Sequence, residues 1–443
     1  MDAPTKESQD GADNKPPLPE AESIFTVGKT SGASRCGEIL GLPTPMFTQL
    51  TSRGLPQCLR PEVLESLLEG QLIYELPICD LIQRQDTVAN CPASEGRDGC
   101  RTFWPHLQKH LTYCSFRNPR NNPSIYGGDA VCSVETSGGR RKVGVKEMLE
   151  TQKVMRATIL AAPGEEVGLE VVASRRSARA VLRAGEWLKE ILEKKAEDPR
   201  LGFTWHVLAS IQGGGEINLR QKACETSRKM PVAGYWIGGL GYSEDLRSRA
   251  RILEAVASEL PADKPRFLPL CSGTPIEVLQ GVLLGTDVFE LTYPAVAAGE
   301  GVALTFSWDM PADEGASEAD VEAQLNCLLP ATEVGSKGPP PAVRQLQLKA
   351  ASCREDFGPI SEASPVKQYS RAYLYHLHEV HELLGTMLLA HHNFYVYKCF
   401  FESVREHIGK GSFRNFAAWF LRTQTCELPA PLQPGPAAKR RKT

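Results

Sequence analysis

Short apolar runs alternate with amphipathic stretches through the middle of the chain. The runs FTWHVLASIQ, VAGYWIGGLG, PRFLPLCSG and TDVFELTY have the length and the β-branched and aromatic content of buried strands. The stretches between them have helical periodicity, as do residues 177–198 upstream. Ser243 is predicted to cap one of these helices and Pro275 to lie in the first turn of the next. Strands and helices that alternate in this way predict a parallel sheet, either doubly wound or closed into a barrel.

The turns after the strands distinguish these two architectures. Each strand ends in glycine-rich or polar residues, namely Gln212-Gly213-Gly214, Gly238-Gly239-Leu240 and Ser272-Gly273-Thr274. In a barrel the C-terminal ends of several strands build one site, whereas a dinucleotide-binding sheet carries its glycine fingerprint in a single turn. That fingerprint is absent from the sequence. The α/β pattern therefore predicts a (β/α)8 TIM barrel with a helical C-terminal subdomain.

The predicted barrel body spans residues 22–310, and the helical subdomain that completes it spans 346–427. Three other stretches lack the apolar periodicity that would offset their ordering entropy. They are the head at 1–21, an acidic and proline-rich insertion at 311–345, and a basic tail at 428–443. All three are predicted to be disordered. The tail ends in KRRKT, which is either a nuclear address or solvated charge.

Composition narrows the classes of function. The chain has 443 residues and a net charge of −3, so it can bury a large core but cannot hold nucleic acid by bulk charge. Any RNA contact must be a local patch. No apolar run approaches the roughly 18 residues of a membrane span, so no integral membrane segment is expected. The 13 cysteines follow no repeating frame, which predicts free thiols in the reducing cytoplasm.

Four ordered segments resemble the tRNA-guanine transglycosylases. They are IQGG, GYWIGGLGYSE, LCSGTPIEVLQGVLLGTDVFE and SRAYLYHLHEVHELLGTMLLAHHNF. The resemblance is good over 161–310 and 354–421, weaker over 34–151, and closest to the non-catalytic accessory type of the eukaryotic queuine enzyme. It implies a barrel fold, and a function in exchanging an anticodon guanine of tRNA for queuine, a deazaguanine base. The implied partners are tRNA and a catalytic queuine tRNA-ribosyltransferase subunit, in a heterodimer. Peripheral association with the mitochondrial outer membrane is known for the accessory type, although no anchor is encoded here.

The expected catalytic positions depart from the family pattern. In catalytic members an aspartate in a strand reading F-D-C-V, shortly before P-T-R, attacks the ribose. The matching residues here are Phe289-Glu290-Leu291-Thr292 and then Pro294-Ala295-Val296. The extra methylene of Glu290 displaces the carboxylate, and misplacement by about 1 Å can cost about 100-fold in rate. We therefore expect no catalytic residue, with Glu290 an ordinary polar residue at the barrel mouth; the alternative is that Glu290 is an unusual nucleophile.

A second catalytic signature of the family, an Asp-Ser-Gly-Gly-Phe-Gln loop, has no counterpart. The nearest string is Thr136-Ser137-Gly138-Gly139-Arg140. The elements that present polar and backbone groups to the base in catalytic members are better preserved. This remnant of a base pocket comprises Gln212, Gly213, Gly214, Gly238, Gly239 and Leu240. Either these residues still line a vestigial pocket, or the glycines only permit tight turns, which is the favoured interpretation.

The zinc site of the family retains one expected ligand. Members carry C-x-C-x₂-C before an (S/T)-R-A-Y helix and a histidine further on, a set that suits tetrahedral zinc. Here residues 361–369 contain no cysteine, Cys353 lies too far upstream, and only His392 remains. Zinc, the cofactor of the family, is therefore expected to be absent or weakly bound. His378 and His381, predicted to share a helix face, form either a metal pair or part of a solvated cluster with His376, His391 and His392.

Two basic runs either contact tRNA phosphates or form a solvated face. They are Arg140-Arg141-Lys142 and Arg247-Ser248-Arg249-Ala250-Arg251. We expect a non-catalytic subunit that supports tRNA binding and the catalytic subunit. The alternatives are a self-sufficient transglycosylase that uses Glu290, and a degraded paralogue or splice product that cannot assemble.

Overall fold

The computed structural model describes residues 20–92, 99–116, 118–120, 125–126, 131–169, 174–197, 204–242, 244–312, 314–330 and 341–426. The strands are β1 Phe25–Ser31, β2 Ser34–Ile39, β3 Leu42–Thr44, β4 Met46–Phe47, β5 Gln49–Ser52, β6 Leu55–Pro56, β7 Ile73–Glu75, β8 Leu111–Cys114, β9 Ile125–Tyr126, β10 Cys132–Thr136, β11 Gly139–Val143, β12 Ile159–Ala161, β13 His206–Ile211, β14 Gly234–Ile237, β15 Arg266–Pro269, β16 Val288–Glu290, β17 Val302–Leu304, β18 Ala342–Val343, β19 Gln345–Gln347 and β20 Thr425–Cys426. The α-helices are α1 Pro61–Leu68, α2 Ile78–Leu81, α3 Gln85–Ala89, α4 Gly99–Phe103, α5 Val145–Met155, α6 Ser174–Glu197, α7 Ile217–Arg228, α8 Leu246–Glu259, α9 Pro275–Leu283, α10 Tyr293–Gly299, α11 Glu318–Leu325, α12 Arg371–Glu379, α13 Leu383–Gly409 and α14 Phe413–Thr423. Two short 3-10 helices, Pro105–Lys109 and Ala351–Cys353, complete the set.

A curled sheet organises the molecule. Its strand order is β4-β16-β15-β14-β13-β12-β8-β7-β5-β6, and only the β5–β6 pair is antiparallel. At one end β4 pairs with β16 through Met46 and Val288, and near the other end β5 pairs with β7 through Gln49 and Tyr74. Since β4 and β5 are consecutive in the chain, the sheet curls back toward its own beginning. The α/β class is confirmed, and the curvature is compatible with a TIM-like barrel.

The mid-chain strands and helices lie where the apolar pattern predicts them. Strands β13 to β16 alternate with helices α7, α8 and α9. Pro275 lies in the first turn of α9, as expected. Ser243, which was predicted to cap α8, lies outside the described residues, and the structure has another residue at the N-cap position of this helix. Asp245 caps the helix instead, because its carboxylate accepts hydrogen bonds from the backbone N–H groups of Arg247 and Ser248.

The antiparallel strands β1, β2 and β3 pack against the N-terminal ends of the parallel strands. Their buried apolar side chains share a core cluster with residues that face the inside of the curled sheet. Buried Arg35 of β2 donates to both carboxylate oxygens of Asp287, at 2.8 and 2.7 Å, immediately before β16. Asp287 also accepts from the backbone N–H of Arg266 at 2.8 Å. This end of the sheet is thereby covered, and the opposite, C-terminal strand ends are left for a site.

The C-terminal helices belong to the same core as the sheet. Helix α13 has 27 residues and packs against α10, β1, β2 and β17. Tyr397, Phe400 and Phe401 of this helix lie in the largest core cluster, and the Tyr397 hydroxyl donates to the carbonyl of Gly273 at 2.7 Å. Within the described part of the chain, every helix is too short or too polar to cross a membrane.

Part of the insertion predicted to be disordered, 311–345, is helical. Ser317 caps α11 by accepting from the N–H of Asp320, and Val321 and Leu325 are buried where α11 meets α14. The prediction is wrong for this segment because acidic residues in a first turn favour a helix. Two buried residues four apart also make too narrow a stripe to stand out in the sequence. Residues 331–340, the tail at 428–443 and nearly all of the head at 1–21 lie outside the described residues.

Candidate functional site

The predicted base-pocket residues and Glu290 lie at the same level of the sheet. In the parallel register Ile211 pairs with Ile237, so that Gln212 and Gly238 follow their strands side by side. Phe267 pairs with both Trp236 and Val288, and Pro269 pairs with Glu290. Glu290 therefore lies level with Gly238 at the C-terminal ends of the strands, as the sequence predicts for a barrel.

Glu290 is buried and holds three strands together. Its Oε1 accepts a hydrogen bond from the Tyr113 hydroxyl of β8 at 2.8 Å and another from Trp236 Nε1 of β14 at 2.6 Å. Burial, followed by the charge of Glu290, raises the pKa of Tyr113 well above its usual value, so this hydroxyl remains a donor at neutral pH. Sequence analysis missed both donors. Trp236 was detectable, because it lies two residues before Gly238 near the end of a predicted strand, where alternate residues face the same side of the sheet.

Gln212 and the turn at Gly238 approach each other closely. Gln212 is fully buried, and its Nε2 donates to Ser210 Oγ at 2.9 Å. A Cβ placed on Gly238 would overlap both Gln212 Nε2 and Trp236 Cζ3. Leu240, after the same turn, is also fully buried. Only glycine fits at position 238, because side chains from two strands meet there.

Arg220 of α7 ties the two glycine turns together. Its buried guanidinium donates to the carbonyls of Ile211 at 2.8 Å, Gly214 at 3.0 Å and Gly238 at 2.7 Å. Burial lowers the pKa of Arg220 to about 10, which leaves it charged at neutral pH. A Cβ on Gly213 would lie 2.8 Å from the Arg220 backbone nitrogen, so this glycine permits the close approach. The arrangement gives Gly213, Gly214 and Gly238 a role in the turns that needs no ligand.

Two glutamates that follow β12, Glu165 and Glu166, lie beside the two glycine turns. Glu166 accepts from the N–H of Gly239 at 3.1 Å and from the Tyr242 hydroxyl at 2.7 Å. Glu165 pairs with Arg176 at 2.7 Å and with Arg183. Sequence analysis missed this pair, although two acidic residues just beyond an apolar strand are a detectable signal for the C-terminal face.

The string nearest to the second catalytic signature lies outside the strand ends of the curled sheet. Thr136 and Gly139 face each other across the hairpin of β10 and β11. The basic residues that follow, Arg140, Arg141 and Lys142, are exposed on β11. This hairpin therefore presents positive charge to solvent and supplies no second carboxylate to the level of Glu290.

The arginines of the second basic run differ in how deeply they are buried. Arg249 is buried and pairs with Glu244 at 2.7 Å and with Glu277 at 2.9 Å, linking α8 to α9. Arg251 is exposed, and Arg247 is half-buried. Arg249 is thus an internal ion-pair partner, and the run cannot act as one continuous row of phosphate contacts.

Both ring nitrogens of His392 form hydrogen bonds inside the protein. Its Nε2 lies 2.9 Å from the carbonyl of Leu304, and its Nδ1 lies 3.0 Å from Ser364 Oγ. A carbonyl only accepts, so Nε2 carries the proton and Nδ1 accepts from the serine. Burial lowers the pKa of His392 to about 4. Ser364 lies in the segment where the family has its cysteines, and these residues do not fit a tetrahedral zinc site with three thiolates.

His378 and His381 do not lie on one face of a helix. His378 is buried in α12, whereas His381 lies beyond the end of that helix with φ of +59°. The prediction that the two share a helix face is therefore wrong, because α12 ends at Glu379. Among the described residues no group of three or more His, Cys, Asp or Glu side chains could hold a metal ion.

Comparison with known proteins identifies the family. The profile of the queuine tRNA-ribosyltransferase family matches residues 32–425, so the chain belongs to this family. A human relative named queuine tRNA-ribosyltransferase accessory subunit 2 is 29% identical over 392 residues, covering 86% of this chain and 92% of the relative. The protein of the same name from Xenopus laevis is 27% identical, covering 90% of this chain and 97% of the relative. A queuine tRNA-ribosyltransferase-like protein from Plasmodium falciparum is 23% identical over 398 residues, covering 87% of this chain and 96% of the relative. The family resemblance seen in the sequence is confirmed.

Arg220→Met is expected to lower the free energy of unfolding by about 3 kcal/mol or more, because three buried carbonyls lose a charged donor. Chemical denaturation followed by circular dichroism measures the change. Lys222→Met is the matched control, since Lys222 is an exposed cation on the same helix, and its effect should stay within about 0.5 kcal/mol. Equal effects of the two substitutions would contradict the role given to Arg220.

Proposed function

We propose that this chain is the non-catalytic subunit of a heterodimeric queuine tRNA-ribosyltransferase, which exchanges guanine for queuine in the tRNA anticodon. Its partner is the catalytic subunit, and its part is to support that subunit and the bound tRNA. The proposal includes a complete (β/α)8 barrel, in which residues 46–52 act as one strand paired with β16 on one side and β7 on the other. The names of the relatives support the accessory role.

The observation that carries the non-catalytic assignment is the environment of Glu290. A carboxylate nucleophile must direct an oxygen at the anomeric carbon of the ribose. Here one oxygen of a buried glutamate accepts from both Tyr113 and Trp236, so the group is held by the protein interior. This geometry favours a structural role over the alternative in which Glu290 is an unusual nucleophile.

The tRNA contact is proposed for the hairpin of β10 and β11. Arg140 and Arg141 are exposed there, on a connection that follows the C-terminal end of β8. Phosphate contacts of this kind orient an RNA without reading its sequence. A local patch also agrees with the net charge of −3, which excludes binding through bulk charge.

The contact with the catalytic subunit is proposed for an apolar corner formed by residues 356–384. Exposed side chains in this corner are Phe357 at 80%, Tyr373 at 40%, Val380 at 48%, Leu383 at 68% and Leu384 at 41%. Hydrogen bonds from the N–H groups of Arg371 and Ala372 to the carbonyls of Gly358 and Asp356 hold its two parts together. Exposed aromatic and aliphatic side chains grouped in this way are typical of the centre of an interface.

The subdomain beside this corner is packed without the three cysteine ligands of the family's zinc site. Leu374 and Leu377, two apolar residues of α12, are buried in the core and thus unavailable to a partner. His392 and Ser364 join the same region by a hydrogen bond. An intact subdomain with an exposed apolar corner favours assembly over the alternative of a degraded product. We place the complex in the cytoplasm, with peripheral contact to the mitochondrial outer membrane as a further proposal.

The isolated chain is expected to incorporate no labelled guanine into bulk tRNA, because Glu290 is held inside the protein and the second carboxylate loop is missing. Glu290→Asp should gain no activity, and Glu290→Gln should change nothing. Filter-bound radioactivity measures the exchange, with circular dichroism as the control for folding. Incorporation by the wild-type chain that disappears in Glu290→Gln would establish the nucleophile alternative instead.

Protein purified without added metal should contain well below one zinc per chain, because His392 uses both ring nitrogens in hydrogen bonds. Elemental analysis by mass spectrometry measures the content. The matched variant His392→Gln should have the same low content. A value near one zinc per wild-type chain that falls in the variant would show a metal site that includes His392.

Leu384→Asp should weaken the heterodimer at least about tenfold, since placing a charge in an apolar contact costs on the order of 1.4 kcal/mol or more. Sizing chromatography and calorimetry with the catalytic subunit measure the effect. Leu182→Asp is the matched control, because Leu182 is a leucine of α6 that is 54% exposed and lies outside the apolar corner. A folded wild-type chain that stays monomeric with the catalytic subunit at micromolar concentration would refute the accessory role.

A further inference from the structure

The indole of Trp236 spans the space between the preserved glycine turn and the former nucleophile position. At the five-membered ring, Nε1 donates to Glu290 Oε1 at 2.6 Å. At the far edge of the six-membered ring, Cζ3 lies so close to Gly238 that a Cβ there would overlap it. The side chain is fully buried and packs with Tyr113 and Phe267 inside the curled sheet.

The register shows how the ring reaches this position. Trp236 pairs with Ser210, one layer below the level shared by Gln212, Gly238 and Glu290. Its contacts with Gly238 and Glu290 are nevertheless contacts with the upper layer. The indole therefore rises from the lower layer and fills the interior up to the C-terminal strand ends.

We propose that Trp236 is a built-in ligand of this barrel, which takes the place of a free bicyclic nitrogen heterocycle. Indole and a deazapurine share a fused five- and six-membered ring system with a ring N–H, and Glu290 accepts that N–H here. The chain therefore binds no free purine-like base, although it keeps Gln212 and the glycine turns. The next step rests on the proposed function: in the heterodimer there is a single base site, and it lies on the catalytic subunit.

Removal of the side chain creates a specific cavity. Trp236→Gly leaves a space of indole shape, with the Glu290 carboxylate at one end and the Gly238 turn at the other. Gln212 Oε1, which is buried and has no hydrogen-bond partner within the described chain, lies beside the same turn. Such a cavity takes up a flat heterocycle that carries an N–H.

Calorimetric titration of the full-length chain alone tests the proposal. The wild-type chain should bind neither 7-deazaguanine nor indole at millimolar concentration. Trp236→Gly should bind indole and gain thermal stability from it. It should bind 1-methylindole at least about tenfold more weakly, because the methyl group removes the hydrogen bond to Glu290. In the double variant with Glu290→Leu, indole and 1-methylindole should bind equally.

Two results would overturn the proposal. One is binding of 7-deazaguanine to the wild-type chain at one per chain. The other is equal affinity of Trp236→Gly for the two indoles. If Trp236→Gly does not fold, the titration of the wild-type chain with 7-deazaguanine still tests the proposal. Trp236→Phe, which keeps the interior filled, should likewise bind no 7-deazaguanine. These measurements need neither tRNA nor the catalytic subunit, so their failure is distinct from a failure to form the heterodimer.

Discussion

Charges buried at both ends of the parallel strands must find partners on neighbouring strands, and this constraint organises the molecule. An unpaired buried charge costs several kcal/mol, so each such group fixes the elements that supply its partners. Asp287 joins β2 to the N-terminal ends of β15 and β16 through Arg35 and the Arg266 backbone. Glu290 joins β8, β14 and β16 at the other end.

The same constraint explains how family motifs persist without the family chemistry. Arg220 needs the carbonyls of the two glycine turns, and the turns need glycine because the approach leaves no room for a Cβ. A side chain at Gly213 would press against Arg220 itself, one at Gly238 would overlap Gln212 and Trp236, and Gly214 has a positive φ of +57°. Selection for a stable fold is therefore sufficient to retain Gly213, Gly214 and Gly238, which is why such residues are weak evidence for a bound base.

Much of the architecture was predictable, because apolar residues in the middle of the chain recur with the regular spacing of strands and helices. The Gly-rich strand ends also located the candidate site, because parallel strands present their C-terminal ends together. The partners within that site were not predictable from spacing. Tyr113 meets Glu290 across 177 residues of sequence, and no local pattern marks such a contact. Helix α11 was missed for the opposite reason, because its acidic composition hid a stripe of two buried residues.

The metal position shows how a fold can keep a ligand residue for another purpose. Zinc would require an unprotonated ring nitrogen and three further donors. His392 instead donates from Nε2 to the carbonyl of Leu304 at the end of β17 and accepts at Nδ1 from Ser364. The bond accepted at Nδ1 requires the neutral ring, and burial lowers the pKa of His392 to about 4, which keeps the ring neutral at physiological pH. A histidine that bridges α13, β17 and the segment before α12 thus connects by hydrogen bonds the elements that a metal ion would connect by coordination.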